Sequence, residues 1–452
     1  MNKGWLMRSG KYEPILIGVS YFLILLCIAF WVRDIPNQPD VFVTTIQQLI
    51  DTSKLGDPKY FATAAIEIAS KGWVSSSNAW VLNLWPPGFV LLEALIIKMF
   101  GLEAPVLLIL QIQAALLFTG VLLLLNRFLS TKVKNQVAYI LPLLIFTFPV
   151  SRVFLLQPTG ISLGESFSIG FFILSVLLSI KSVENNQLRH AVNAGCFLAL
   201  SAYFRSQFEL ILLALTLWGV LLLITFLVVK QNKFIEQKIA SSTITTVAVV
   251  LLVAHAATIP WRAYHLINDG NLLWVQTSSV TFGNAVSTSE NLESRQGKFV
   301  VEGGGNLVCR IDPTTCGDVV NAKKLFIKTF LEHPIQWYSL KLDVVGKYWF
   351  SSIQNWTNTG VAPLYSDMAL NGIILILIIV NVPLLLTRKV RSERVWLLLM
   401  WICTSLISTY ILIFTVQQFE TRYFYFPKIF GIFMVLILAS MYYRNSHNVD
   451  KR

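Results

Sequence analysis

A carboxylate in a polar stretch between two apolar runs is the first residue whose surroundings suggest chemistry. Asp57 lies in Gly56-Asp57-Pro58-Lys59-Tyr60, and the following proline favours extended or turn backbone at Asp57. A carboxylate held there can act as a general base on an acceptor hydroxyl or amine. The same spacing also fits a helix N-cap with proline at the first helical position. Three further aspartates compete for the role of base: Asp34, Asp40 and Asp51.

A second carboxylate stands at the start of an apolar run. Glu165 follows Gly164 and precedes a long hydrophobic stretch, so it is predicted in the first turn of a membrane helix. An ionisable group there is costly unless it faces a cavity or a partner, which makes Glu165 a functional candidate. The alternative is an acidic residue that only stabilises the positive end of the helix dipole.

Two arginines lie at predicted outer ends of membrane helices, Arg205 and Arg422. A guanidinium grips a phosphate or pyrophosphate through two parallel hydrogen bonds, so both are candidates for binding a phosphate. The alternative is a salt bridge to Glu209 or Glu420, or extension towards lipid head groups. Arg262 and Arg152 are weaker candidates of the same kind.

The histidines and cysteines suggest little metal chemistry. The five histidines do not cluster, so a catalytic zinc site is not expected. No Walker A motif is present, so ATP is not expected to drive the protein. Cys309 and Cys316 lie in one polar segment, and a local disulfide between them is predicted if that segment faces an oxidising compartment.

Composition indicates the kind of element that must position these residues. The chain has 452 residues, of which 55% are hydrophobic and 13% charged, whereas soluble proteins carry about 25% charged residues. Many long apolar runs accompany this deficit, so we predict an all-α polytopic membrane protein. The net charge of +12 is interpreted as the bias of lysine and arginine towards cytoplasmic loops, and nucleic acid is not expected as a partner.

Basic clusters between the apolar runs predict the topology. These clusters all lie on the cytoplasmic side of the membrane if the chain has about ten transmembrane helices and both termini in the cytoplasm. The predicted spans are 14–32, 104–125, 136–151, 162–180, 191–204, 208–229, 239–259, 367–386, 395–416 and 424–442. Residues 81–100 are long enough to span, but a span there would move every later basic cluster outside. They are therefore predicted as an interfacial helix on the membrane surface.

This topology divides the chain into three parts. Residues 1–259 form an N-terminal transmembrane module with a first outer loop at 33–103. Residues 260–366 form an extracytoplasmic region that opens with Pro260-Trp261-Arg262. That region is predicted to contain loops with short strands, followed by amphipathic helices at 323–333 and 336–350. Residues 367–452 form the C-terminal transmembrane helices.

The order of the motifs resembles a known family. A first span is followed by Asp57 and Tyr60, then by Trp85-Pro86-Pro87-Gly88, and Gly164-Glu165 opens a later helix. Phe204-Arg205, Pro260-Trp261-Arg262 and Glu420-Thr421-Arg422-Tyr423 follow in order. From about residue 14 to 442 the chain resembles the GT-C superfamily of integral-membrane glycosyltransferases. The most similar branch includes the protein O-mannosyltransferases and the aminoarabinose lipid A transferases.

The resemblance implies a GT-C-like fold and transfer of a sugar from a polyprenyl-phosphate donor to a glycan, lipid or protein acceptor. The first outer loop of the family supplies the base, which maps to Asp57, although the family often has two adjacent acids where Pro58 and Lys59 follow here. It implies a set of substrate- or phosphate-binding residues: Lys59, Tyr60, Glu165, Arg205, Arg262, Glu420, Arg422 and Tyr423. No cofactor is required, and dependence on a divalent metal is left open.

Location and alternative functions also follow as expectations. The resemblance and topology imply a multi-pass protein of the bacterial plasma (inner) membrane whose active site faces outward. An endoplasmic reticulum protein that faces the lumen fits the same pattern. A carrier or flippase for a lipid-linked saccharide, and a polysaccharide polymerase or ligase, are the alternatives. A carrier is expected to have inverted repeats and helices broken by glycine or proline near the bilayer midplane.

Overall fold

The computed structural model describes eight continuous stretches of the chain and a few separate positions. The stretches are 13–32, 44–51, 56–130, 135–156, 164–229, 237–269, 319–332 and 425–449. The separate positions are 314, 334, 335, 338, 342, 372 and 401. Within these residues every regular element is a helix and no strand occurs. The predicted short strands of the outer region fall within 270–313, outside the described residues.

The N-terminal half begins with one long helix and then a series of shorter ones. In chain order these are α1 (Glu13–Trp31), α2 (Ile46–Asp51), α3 (Gly56–Lys71), α4 (Ala79–Leu84) and α5 (Gly88–Phe100). Next come α6 (Val106–Ser130), α7 (Asn135–Ile140), a 3-10 helix (Leu141–Thr147) and α8 (Pro149–Leu156).

The remaining described helices are mostly long. They are α9 (Glu165–Asn185), α10 (Leu188–Phe204), α11 (Gln207–Val229), α12 (Gln237–Asp269), α13 (Val319–Glu332) and α14 (Tyr425–Val449). The predicted amphipathic helix 323–333 corresponds to α13. The one predicted at 336–350 lies almost wholly outside the described residues.

The described residues contain four helices that are long and apolar enough to cross a membrane. These are α1, α6, α9 and the part of α12 from Ser242 to Asn268, and a bent pair raises the count to five if it is one span. The chain is therefore an all-α membrane protein with several candidate spans. The figure of about ten spans stays a prediction, because most of 367–386 and most of 395–416 lie outside the described residues.

The predicted span 136–151 is wrong as a straight helix. The chain forms α7, the 3-10 helix and α8, and the axis bends by 89° at the break. Pro142 lies in the 3-10 helix and Pro149 begins α8. A proline lacks the N–H that continues an α-helix, which explains why the apolar run does not stay straight.

The segment predicted as one interfacial helix at 81–100 is interrupted. α4 ends at Leu84, Trp85 has extended backbone, and α5 begins only at Gly88. With 13 residues, α5 is about 20 Å long, shorter than the membrane core of about 30 Å. Its length thus agrees with a helix that does not cross the membrane by itself.

The predicted end of a helix at residue 259 is also wrong. α12 continues through Pro260 to Asp269. The hydroxyl of Tyr203 donates a hydrogen bond to the carbonyl of Ala257 at 3.0 Å. Neighbouring side chains that satisfy carbonyls near a proline allow a membrane helix to continue past it. Pro260-Trp261-Arg262 therefore lies inside a helix and does not begin a loop.

Helix α9 is the centre of the described bundle. Of its 18-residue apolar window 89% is buried, and it packs against α6, α8, α10, α12 and α14. Phe172 of α9 contacts four aromatic rings from other parts of the chain, those of Phe208, Trp401, Phe426 and Phe430. The first residue of this central helix, Glu165, is thus held in a fixed position.

Candidate functional site

Glu165 and Arg205 form an ion pair between two consecutive helices. Glu165 is the first residue of α9, and Arg205 directly follows the last residue of α10. Nη2 of Arg205 donates to Oε1 of Glu165, and the two side chains are only 11% and 10% exposed. A carboxylate at a helix N-terminus and a guanidinium at a C-terminus each also match the helix dipole.

Two glycines let other backbone segments approach the end of α10 closely. A Cβ atom added to Gly88 would lie 2.5 Å from the carbonyl oxygen of Tyr203. One added to Gly164 would lie 2.5 Å from the carbonyl oxygen of Phe204. The Trp-Pro-Pro-Gly segment and the start of α9 therefore both contact the residues that precede Arg205.

A second buried ion pair joins α11 and α12. Nε of Arg262 lies 3.4 Å from Oε1 of Glu209. The Glu209 side chain is fully buried, and that of Arg262 is 13% exposed. Glu209 is four residues after Arg205, so the turn between α10 and α11 brings both ion pairs to the same end of the bundle.

The Arg262 guanidinium also contacts a histidine. Its Nη1 lies 2.9 Å from Nδ1 of His255, and Nε2 of that imidazole lies 2.8 Å from Oγ1 of Thr216. His255 and Arg262 are seven residues apart, which places them on one face of α12, two turns apart. In the sequence, His255 was only one of five histidines that do not cluster, although this seven-residue spacing could have pointed to the pair.

Asp57 lies at the second position of α3. Its backbone is helical, so the predicted extended or turn geometry is wrong, and proline in the first turn of the helix explains the difference. One turn later, Phe61 packs against Trp85 at 4.9 Å and against Phe89 at 5.9 Å between ring centroids.

An aromatic cluster connects the start of α3 to the Glu165–Arg205 pair. The Phe89 ring lies 6.4 Å from that of Phe167, and the Phe167 ring lies 5.2 Å from that of Phe204. Phe167 is two residues after Glu165, and Phe204 directly precedes Arg205. We call Phe61, Trp85, Phe89, Phe167 and Phe204 the aromatic bridge.

Lys59 and Tyr60 are accessible near the start of α3. Lys59 is half-buried, and Tyr60 is 44% exposed. The Tyr60 ring meets the ring of Trp80 edge to face at 4.9 Å. Both residues follow Asp57 within one turn of α3. Position 60, three residues after position 57, is on the same helix face, whereas position 59, two residues after it, is not.

Glu67 closes the loop between α3 and α4. Its carboxylate accepts hydrogen bonds from the amide and hydroxyl of Ser75 and from the side-chain amide of Asn78. These bonds hold the pKa of Glu67 below its usual range, with the Ser75 amide as the largest cause. The role of Glu67 is therefore to fix the α3–α4 loop.

Glu93 is a buried carboxyl group in the segment predicted as an interfacial helix, and the sequence did not single it out. It lies on α5, is 1% exposed, and its Oε2 has no hydrogen-bond partner among the described residues. Burial raises the pKa of Glu93 to about 8, so the group is neutral at neutral pH. A neutral acid at this position is compatible with the apolar face of α5.

Several predicted site residues lie outside the described residues. They are Glu420, Arg422, Tyr423, Cys309 and Cys316. Within the described ranges, no group of three His, Cys, Asp or Glu side chains is arranged to hold a metal ion. Metal dependence and the disulfide stay predictions.

No family model matches this chain, and no curated protein matches it in sequence.

Proposed function

We propose that this protein is a membrane glycosyltransferase that transfers a sugar from a polyprenyl-phosphate donor to an acceptor on the extracytoplasmic side. The proposal includes a GT-C-like fold with about ten transmembrane helices. One observation carries it: α3, whose second residue is Asp57, and the Glu165–Arg205 pair both adjoin the aromatic bridge. The helix that carries the proposed base and the proposed phosphate-binding cation thus lie beside the same cluster.

Asp57 is the proposed general base. In the reaction an acceptor oxygen or nitrogen attacks the anomeric carbon, and its proton passes to the Asp57 carboxylate. The bond between the anomeric carbon and the phosphate oxygen breaks, and the lipid phosphate leaves with the electron pair. Attack from the face opposite the leaving group inverts the anomeric carbon. The contact between Phe61 and Trp85 places the turn of α3 that follows Asp57 beside the Trp-Pro-Pro-Gly segment.

Arg205 and Arg262 are the proposed ligands of the phosphate. A guanidinium has five N–H donors, so an arginine that binds one carboxylate retains donors for another oxyanion. Each arginine already has a glutamate partner that fixes its position, Glu165 and Glu209 respectively. A fixed cation stabilises the charge that develops on the leaving phosphate without reorganisation during the reaction.

The remaining predicted residues complete the proposal. Lys59 is a further phosphate ligand, and the accessible Tyr60 contacts the substrate. Glu420, Arg422 and Tyr423, which lie outside the described residues, are the further proposed substrate-binding residues. The acceptor is a glycan, a lipid or a protein, and the protein lies in a bacterial plasma membrane with its site outward.

The test is reconstitution of the purified protein in liposomes with polyprenyl-phosphate sugars. We expect the wild type to consume the donor and Asp57→Asn to transfer about 10²- to 10⁴-fold more slowly, the contribution of a general base. Asp51→Asn is the matched comparison, because Asp51 is an exposed acid of the same outer loop that Gln47 contacts. Full activity of Asp57→Asn excludes Asp57 as the base, and loss in Asp51→Asn alone assigns that role to Asp51.

A carrier for a lipid-linked saccharide is the second candidate, and two observations favour it. α12 contains Pro260 in its interior, and the apolar segment from Asn135 to Leu156 bends by 89°. Transporters use such interrupted helices around their binding sites. In the same liposomes, a carrier moves the intact donor between leaflets without releasing polyprenyl phosphate, whereas a transferase releases it.

A further inference from the structure

We propose that His255 is a positioning residue that holds Arg262 ready for an anionic oxygen and does so only while its imidazole is neutral. The inference rests on the proposed function, since the anionic oxygen is that of the lipid phosphate. His255 itself does not touch the substrate. It acts through the guanidinium that it orients.

The hydrogen bonds determine which nitrogen of His255 carries the proton. A guanidinium only donates, so Nδ1 of His255 must accept the hydrogen bond from Nη1 of Arg262. The proton of the neutral ring is then on Nε2, which donates to Oγ1 of Thr216. The Thr216 hydroxyl in turn donates to the carbonyl of Leu212 at 2.8 Å. Every donor in this series thus has an acceptor.

The same contacts fix the orientation of Arg262. Nη1 is held by His255, and Nε lies 3.4 Å from Glu209. Nη2 is buried and has no hydrogen-bond partner among the described residues. A buried donor without an acceptor is costly. An oxygen of an anionic ligand that accepts a hydrogen bond from Nη2 would remove that cost. His255 and Glu209 contact the other two nitrogens of the guanidinium, so Nη2 is available to the ligand.

Protonation of His255 would break the arrangement. A proton on Nδ1 places two donors and two positive charges 2.9 Å apart. The described helices that pack against α12 are α9, α10 and α11. Near the end of α12 that carries Arg262, the titratable side chains on these helices are Tyr203 of α10, Glu209 of α11 and Glu165 of α9. Arg205 pairs with Glu165. Glu209 is the acid nearest to Arg262, so a charged His255 competes with Arg262 for it.

The first test is the pH profile of transfer by the reconstituted wild type and two variants. Below the midpoint of the His255 titration, we expect kcat/KM for the donor to fall about tenfold per pH unit. His255→Asn retains an acceptor for Arg262 but does not titrate, so it should keep most of the neutral-pH activity and lose this acidic decline. His255→Leu should raise the donor KM at every pH.

His190→Gln is the matched control, because His190 is near the opposite end of α10 and close to Lys181 and Arg189. His190→Gln should keep the decline of kcat/KM at acidic pH. A decline that persists in His255→Asn, or that disappears in His190→Gln, overturns the proposal.

A second measurement separates this inference from the proposed function. Apparent Tm values of His255→Leu, Arg262→Leu and the double variant form a double-mutant cycle in detergent. We expect non-additive shifts at pH 7.5 and a smaller non-additive part as acidification protonates His255. Additive shifts at pH 7.5 overturn the positioning role. Absence of donor consumption by the wild type, together with the expected coupling, overturns only the glycosyltransferase proposal.

Discussion

At the end of the bundle where α10 meets α11, two buried ion pairs are present among the described residues. Glu165 pairs with Arg205, and Glu209 pairs with Arg262. Removal of one member of such a pair leaves a buried charge without compensation, which costs about 3–5 kcal/mol in proteins. These four residues therefore depend on one another for stability, whatever ligand they bind.

The sequence identified these charges but not all of their partners. It offered Glu209 as a partner for Arg205, four residues apart. Such a pair forms when both residues belong to one helix, but Arg205 has extended backbone and precedes α11. Glu165, 40 residues earlier, is the actual partner. A contact between separate helices depends on packing that the local sequence does not encode.

Glu93 is expected to make the stability of the protein depend on pH. Its pKa is raised to about 8 in the fold, from about 4.3 in an unfolded chain. The contribution of Glu93 to the free energy of unfolding is fully present below a pH of about 4.3. It declines as the pH rises to about 8, by roughly 5 kcal/mol in total. The apparent Tm of Glu93→Gln in detergent should therefore exceed that of the wild type by an amount that grows between pH 5 and 8.

Glu67 provides the control for this experiment. Its pKa is lowered by hydrogen bonds from Ser75 and Asn78, so its contribution is lost as the pH falls. Glu67→Gln should be less stable than the wild type at neutral pH and approach it in acid, the opposite trend. An equal Tm difference between Glu93→Gln and the wild type at pH 5 and pH 8 contradicts a buried neutral Glu93.

At the scale of the helices, apolar runs in the sequence predicted where helices occur better than they predicted where those helices break. The predicted spans 14–32 and 208–229 agree with α1 and α11 within a residue or two. The predictions failed at prolines. The chain breaks around Pro142 and Pro149 but continues through Pro260. Whether a proline ends a helix depends on neighbouring groups, here the hydroxyl of Tyr203, which come from elsewhere in the chain.

Gly88 and Gly164 are expected to be essential for the packing of α10 against its neighbours. An alanine at either position places Cβ 2.5 Å from a backbone carbonyl oxygen, so the end of α10 must move. Gly88→Ala and Gly164→Ala should each lower stability by about 1–3 kcal/mol, the usual cost of overpacking. The measurement is apparent Tm in detergent.

Gly120→Ala is the matched control in α6, because nothing lies within 4 Å of a Cβ added there. Alanine favours helix over glycine by up to about 1 kcal/mol, so this variant should be as stable as the wild type or more so. Wild-type stability of Gly88→Ala and Gly164→Ala would show that the close approach at α10 is not required.

At the scale of the whole molecule, the basic clusters in the sequence predict which side of the membrane each loop lies on. The described helices do not decide that topology. With the bent segment from Asn135 to Leu156 counted as one span, the turn between α9 and α10 faces the cytoplasm if residues 81–100 lie on the membrane. If they cross it, that turn faces outward. The short length of α5 and the break at Trp85 favour the first arrangement.

Cysteine labelling in intact cells measures this directly. Ser76 and Asn185 are exposed in the α3–α4 loop and the α9–α10 turn. A membrane-impermeant maleimide should label Ser76→Cys in intact cells and Asn185→Cys only after permeabilisation. Labelling of both in intact cells would mean either that residues 81–100 cross the membrane or that the bent segment from Asn135 to Leu156 does not, and that the basic clusters after α9 are reversed in side.

The two ion pairs differ in how much of the chain must exist before each can form. Glu165 and Arg205 belong to α9 and α10, a hairpin with a short turn at Asn186 and Gln187. Their charges can neutralise each other during biosynthesis, as soon as that hairpin has entered the membrane. Glu209 must wait for Arg262, at the far end of the next long helix. Nascent chains that end before α12 therefore carry one buried acid whose basic partner has not yet been synthesised.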